Sequence, residues 1–165
     1  MLSRGAAWRW FFLVSSLALT SPAAAYVVGT TSTGIERGWK ALPMKFKIHS
    51  AAPPGVTAAE FQAAIRAAYA AWSSVGCSYF RSTDLGVVNQ PNPDETDLAN
   101  THLVAATWMT DPATAAITLV TYYDNTGEIF EADVVYNPGF TWSVAGAPGT
   151  VDVRAVATHE IGHSW

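Results

Sequence analysis

Five residues near the end of the chain, His159-Glu160-Ile161-Gly162-His163, restrict its fold more than any other stretch. Asp152 is a good N-cap, and a helix is predicted to start at Val153. At about 100° per residue, Val153, Val156, Ala157 and Ile161 mark out its buried arc. Glu160 falls inside that arc, and the two histidines lie at its edge. A carboxylate on a buried face is costly unless something pairs with it. The chain is therefore expected to cover one side of this helix, and a zinc-bound water would be such a partner for Glu160.

Histidines four apart on a helix stack on one face, with Cβ atoms about 5–6 Å apart. His159 and His163 can therefore reach a single zinc ion, at roughly 2.0–2.1 Å from each imidazole. The metal lowers the pKa of a bound water towards about 7, and Glu160 between the ligands can take its proton. With four histidines and six glutamates in the chain, a chance match to this spacing is expected about 0.003 times. The bland alternative, an exposed helix carrying the pattern by accident, leaves the position of Glu160 unexplained.

The rest of the chain supplies the frame. Residues 26–38 read as a polar lead-in arm. Residues 44–49 alternate Met-Lys-Phe-Lys-Ile-His, the pattern of a half-buried strand with Met44, Phe46 and Ile48 on one face. After Pro53-Pro54-Gly55, residues 57–74 are the clearest helix: Thr57 and Glu60 form a capping box. Phe61, Ile65, Ala68, Trp72 and Val75 make its apolar stripe. Residues 77–81 read as a short strand, and residues 82–101 as a polar loop. Strands are expected over 103–109, 115–123 and 128–137, with Asp124-Asn125-Thr126-Gly127 turning between the last two. Residues 138–150 form a loop. Strand, helix, several strands, helix is an α+β or mixed α/β order, with helices packed on a twisted sheet.

Residues 1–25 are expected to be a signal peptide. Arg4 and Arg9 precede an apolar run over 10–19, and Ser21-Pro22-Ala23-Ala24-Ala25 supplies small residues for cleavage. The run is short of the roughly 20 residues needed to span a bilayer. The remaining chain, 26–165, is then one exported domain, secreted or periplasmic, with no membrane segment after cleavage. All thirteen acidic residues but only seven of the nine basic ones lie in it, a net charge of −6. That charge argues against a nucleic-acid partner.

Cys77 is the one cysteine, so no internal disulfide forms, and it reads as a small buried thiol rather than a nucleophile. Asp94, Glu95 and Asp97 could offer oxygens to calcium, but no complete ligand pattern appears, and a solvated loop is preferred. Asp133, in mid-strand, could bind calcium or pair with a helix end and is left unassigned. His49 and His102 stand apart from the motif and read as ordinary exposed or core histidines.

Four stretches together resemble the matrixin-type (metzincin) zinc metallopeptidases, especially their small bacterial members. Trp39 with Met44-Lys45-Phe46-Lys47-Ile48 resembles the family's opening strand. Ala70-Ala71-Trp72 with Phe80 resembles its first helix and second strand. Thr126-Gly-Glu-Ile-Phe-Glu-Ala-Asp-Val-Val-Tyr-Asn137 resembles the strand before the active-site helix, and Val156-Ala-Thr-His-Glu-Ile-Gly-His163 that helix. The resemblance implies a mostly parallel sheet with an antiparallel edge strand, packed on two helices as in the N-terminal subdomain of such enzymes. It implies a secreted zinc endopeptidase acting on protein or peptide substrates, with His159 and His163 as metal ligands and Glu160 as general base. The family's third zinc-binding histidine and its methionine turn come further downstream, so residues 26–165 are expected to be an incomplete catalytic domain, inactive by itself. The family's cysteine-bearing inhibitory segment has no counterpart in residues 26–38, and Val135 stands where many animal members have a histidine for a structural zinc. Two other readings stay open: a different zincin whose third ligand is a distant glutamate, and a non-catalytic secreted domain that keeps the fold.

Overall fold

The structure, a computed structural model, describes residues 29–164 except Glu95 and Thr110. The expected signal peptide, residues 1–25, lies outside the described residues. Eight strands and two helices follow in the order β1 (Gly38–Trp39), β2 (Met44–His49), α1 (Ala58–Ser73), β3 (Ser82–Val88), β4 (Asn100–Val104), β5 (Ala116–Tyr122), β6 (Glu128–Tyr136), β7 (Trp142–Ser143), β8 (Val151–Asp152) and α2 (Val153–His163). The main sheet is ordered β1-β6-β4-β2-β3, and all of these pairings are parallel. β5 pairs antiparallel along β6, from Ala116 opposite Tyr136 to Tyr122 opposite Ile129. The fold is thus mixed α/β, as the element order implied, and its sheet is mostly parallel, as the resemblance implied.

α1 forms where its caps and stripe put it. The Thr57 N–H donates to the Glu60 carboxylate at 2.8 Å, and the Glu60 N–H donates to the Thr57 hydroxyl at 3.3 Å. A cap of this kind is worth about 1 kcal/mol. Phe61, Ile65 and Ala68 are fully buried against Met44, Phe46 and Ile48 of β2 and Val134 and Tyr136 of β6. The Phe46 and Tyr69 rings stack at 3.8 Å. Val153, Ala157 and Ile161 of α2 join the same core, so both helices cover one face of the sheet. Val75, the last residue of the expected stripe, is exposed, because α1 has already ended at the Ser74 cap.

Between α1 and β5 the chain departs from the expected layout. Residues 77–81 form no strand; Phe80 is buried as an anchor, and pairing starts where the Met44 N–H meets the Arg81 carbonyl. The strand is β3, inside the stretch expected to be a loop. Gly86, at φ +97°, bends it where the β2–β3 register shifts. A polar, glycine-interrupted strand is tolerated at this sheet edge because half of it faces solvent. The loop is confined to residues 89–99. β4 begins at Asn100 and ends at Val104, and Ala106–Trp108 is a 3-10 turn, so the expected 103–109 strand is displaced towards the N-terminus. Cys77 is exposed, not buried, because it sits in the turn after α1.

The loop lies over the sheet face opposite the helices. Asp94 and Asp97 serve its own turns, accepting from the N–H groups of Thr96 and Ala99, and Asp97 pairs with Lys47 at 3.1 Å. The Asp133 carboxylate accepts from the Thr101 and Asp94 N–H groups at 2.6 and 3.1 Å. Burial pushes Asp133 up to about 6 despite those two amides, and the Asp97 and Asp94 charges add to the rise. His102 is buried between two tyrosines, its Nδ1 at 3.0 Å from the Tyr136 hydroxyl and its Nε2 at 3.0 Å from that of Tyr69.

Candidate metal centre

α2 carries all three motif side chains, and its setting is fixed from four directions. Asp152 caps the helix, accepting from the Ala155 N–H at 2.8 Å. Beneath, Val153, Ala157 and Ile161 are fully buried. The Trp72 indole N–H of α1 donates to the Thr158 carbonyl at 2.8 Å, and the Trp39 indole N–H reaches the Ser164 carbonyl just past the helix end. Gly162 faces the Trp72 ring so closely that a Cβ there would lie 3.0 Å from Cζ2. The glycine inside the motif therefore lets α1 and α2 approach with the indole between them.

The fourth direction is β5. Glu160 is 6% exposed, the buried position its place on the helical arc implied. Its partner is Thr118, whose hydroxyl donates to Oε2 at 2.7 Å and also lies 3.0 Å from the Glu160 backbone carbonyl. A charge-assisted hydrogen bond of this length holds a carboxylate in one orientation. Sequence reasoning missed Thr118; a threonine in a strand otherwise rich in β-branched residues carries no signal of its own.

His159 and His163 are exposed and face the same side. Their rings meet edge to face, with centroids 4.6 Å apart, and the two Nε2 atoms lie 3.0 Å apart. Two nitrogens bound tetrahedrally to one zinc at about 2.0–2.1 Å would stand about 3.4 Å apart. The pair therefore fits as two ligands of one metal ion with little adjustment. Among the described residues no group of three or more His, Cys, Asp or Glu side chains is placed to hold a metal. The three motif residues line a cleft of about 540 Å³, together with Arg37, Ala116, Ile117, Thr118 and Val120. β5 runs along it with one edge on β6; the other pairs with no strand among the described residues.

His49 and His102 take no part: both are buried in the body of the fold. Asp133 and Glu131 line a different cleft, with Trp108 and Leu119. Neither a protein-family model nor a curated protein sequence matches the chain.

Proposed function

We propose that the chain carries the zinc-binding part of a secreted zinc endopeptidase with a zincin-like, matrixin-type subdomain. One observation carries this reading: His159 and His163 converge to 3.0 Å at an open cleft in which Glu160 is buried, held by Thr118 and flanked by a strand edge that is unpaired among the described residues. Zinc, when bound there, supplies a Lewis acid that activates water and polarises a peptide carbonyl. The protein's own residues do the rest. Thr118 fixes Oε2 of Glu160, which leaves Oε1 to take the proton of the attacking water and return it to the departing amine nitrogen. β5 offers backbone N–H and C=O groups to an extended peptide, which gives affinity with little demand on side chains.

A catalytic zinc site needs three protein ligands and an open position. The described residues supply two, and the resemblance puts the third downstream. The test compares residues 26–165 with a chain continued through a third histidine and a methionine turn. The longer protein should bind near one equivalent of zinc and cleave peptides in a chelator-sensitive way, and the shorter should do neither. A longer protein that binds no zinc would favour a non-catalytic domain, and zinc bound without that histidine a zincin with a distant glutamate ligand.

The role of β5 has its own expected outcome. Successive residues of an edge strand point their N–H groups alternately inward and outward, so prolines placed singly at Leu119 and Val120 remove one of each. The inward substitution should unfold the sheet edge, visible in the melting temperature. The outward one should leave the fold intact and weaken cleavage of long peptides by roughly threefold to tenfold, the worth of one hydrogen bond. Unchanged cleavage by the well-folded variant would remove β5 from substrate binding.

A further inference from the structure

We propose that Arg37 makes the cleft selective for peptides carrying an acidic side chain on the Tyr122 side of the scissile bond. This rests on the peptidase reading above and names the class of peptide that the site takes. Arg37 lines the same cleft as His159, Glu160 and His163 but comes from the arm before β1, far from them in sequence. Its guanidinium is seated in a slot. On one side Cζ lies 4.8 Å from the centre of the Tyr122 ring, at the end of β5. On the other it lies against the Gly29 backbone, where a Cβ would fall 2.1 Å from Nη2 and 2.7 Å from Cζ. Any side chain at position 29 would displace the guanidinium. The Arg37 N–H donates to the Gly29 carbonyl at 2.8 Å, which closes the arm around the slot.

This clamp holds the group without using its donors. Among the described residues the ion pairs are Lys47 with Asp97 and Arg66 with Asp84, and the Arg37 side chain makes no hydrogen bond. A planar fork, stacked on an aromatic ring and open to a cleft, is suited to a carboxylate, which it binds through two parallel N–H bonds. Stacking also removes much of the side-chain freedom that pairing would otherwise cost. Residues 26–165 carry a net charge of −6, so a fixed cation in the cleft favours an acidic side chain at its own position. The other charged group lining the cleft, Glu160, is turned into the Thr118 hydrogen bond.

Position along β5 separates this role from catalysis. Tyr122 lies four residues beyond Thr118, about 13 Å at the usual strand rise. A peptide extended along the same edge advances by the same step, so its acidic side chain would sit about two to four residues from the bond cut. In this arrangement Arg37 reads a substrate side chain on the Tyr122 side, and the glutamate scan below fixes its distance from the bond cut.

The experiment walks a glutamate through every position around the cleaved bond of a neutral peptide, with a glutamine counterpart at each. The kcat/KM ratio of each Glu–Gln pair is measured for the zinc-loaded, continued chain described above and for its Arg37→Ala and Arg37→Glu variants. The wild type should prefer glutamate about tenfold at a position on one side of the bond, a preference that weakens as salt is raised. Arg37→Ala should bring that ratio close to one, and Arg37→Glu should take it below one, so that the glutamine peptide is preferred. Because each ratio is taken within one protein, a general loss of activity or stability does not imitate the result. A wild type indifferent to glutamate everywhere, or a preference that survives Arg37→Ala, overturns the inference. If the wild type cleaves no peptide at all, the peptidase reading falls, and binding of fluorescent Glu and Gln peptides to Glu160→Gln decides the matter separately. Arg37-dependent preference in binding supports the selective cleft, and equal binding overturns it.

Discussion

Glu160→Gln, in the chain continued through a third histidine and a methionine turn, is expected to keep its zinc and to lose peptide hydrolysis by about 10²–10⁴-fold, the usual contribution of a general base. Glutamine keeps the shape of the side chain and one oxygen for the 2.7 Å bond from Thr118, so α2 and the histidine pair should remain where they are. What it lacks is the second carboxylate oxygen that, in the proposed mechanism, takes the proton from the water. The loss should therefore appear in kcat, with KM for a long peptide little changed, because in the proposed mode the substrate backbone pairs with β5 and not with Glu160. Metal analysis and steady-state kinetics on the same preparation check both halves. Near-normal turnover with full zinc would mean that another group takes the proton. Loss of zinc along with activity would mean that Glu160 maintains the site's architecture.

Much of this site was legible because α2 obeys local rules. Asp152 starts the helix, 3.6-residue periodicity puts Glu160 inward, and a spacing of four turns both histidines outward. No tertiary knowledge is needed for any of these. α1 and β2 were legible for the same reason: a reciprocal cap and a period-two alternation are written in adjacent residues. What adjacent residues do not record is which strand lies beside the helix. Thr118 is 42 residues from Glu160 and Arg37 is 85 residues from Tyr122, so both contacts exist only once the sheet is assembled. β3 was hidden for a further reason. Asp84 and Gly86 resemble loop residues, yet at an edge Asp84 faces out to pair with Arg66 at 2.6 Å, and Gly86 absorbs the bend. In residues 77–81 the opposite error occurs: aromatic residues suggest a strand, but only Phe80 turns into the core, and Tyr79 is 84% exposed.

The buried His102 gives the second large effect, on stability. Enclosed between the Tyr69 and Tyr136 hydroxyls and fully out of contact with water, its imidazole is pushed down to about 3 by burial, from the ordinary 6.5. The neutral ring suits the site, since one nitrogen can donate to one hydroxyl while the other accepts from the second. The folded state therefore resists a proton that the unfolded chain takes up readily. Stability is fully present above about pH 6.5 and is lost as pH falls towards 3, by about 1.4 kcal/mol per pH unit, several kcal/mol in all. Asp133 works in the opposite sense: raised to about 6, it lets the folded state hold a proton between that pH and 3.8, which stabilises the fold on acidification. Its smaller shift offsets part of the His102 loss in that window. A comparison of the wild type with His102→Gln isolates the histidine, because Asp133 is common to both. Denaturant unfolding of the two proteins from pH 7 to pH 4 should show a stability difference that shrinks with the slope given above, even if the variant is weaker throughout. Two curves that stay parallel across that range would mean that His102 is protonated in the folded protein or reached by water.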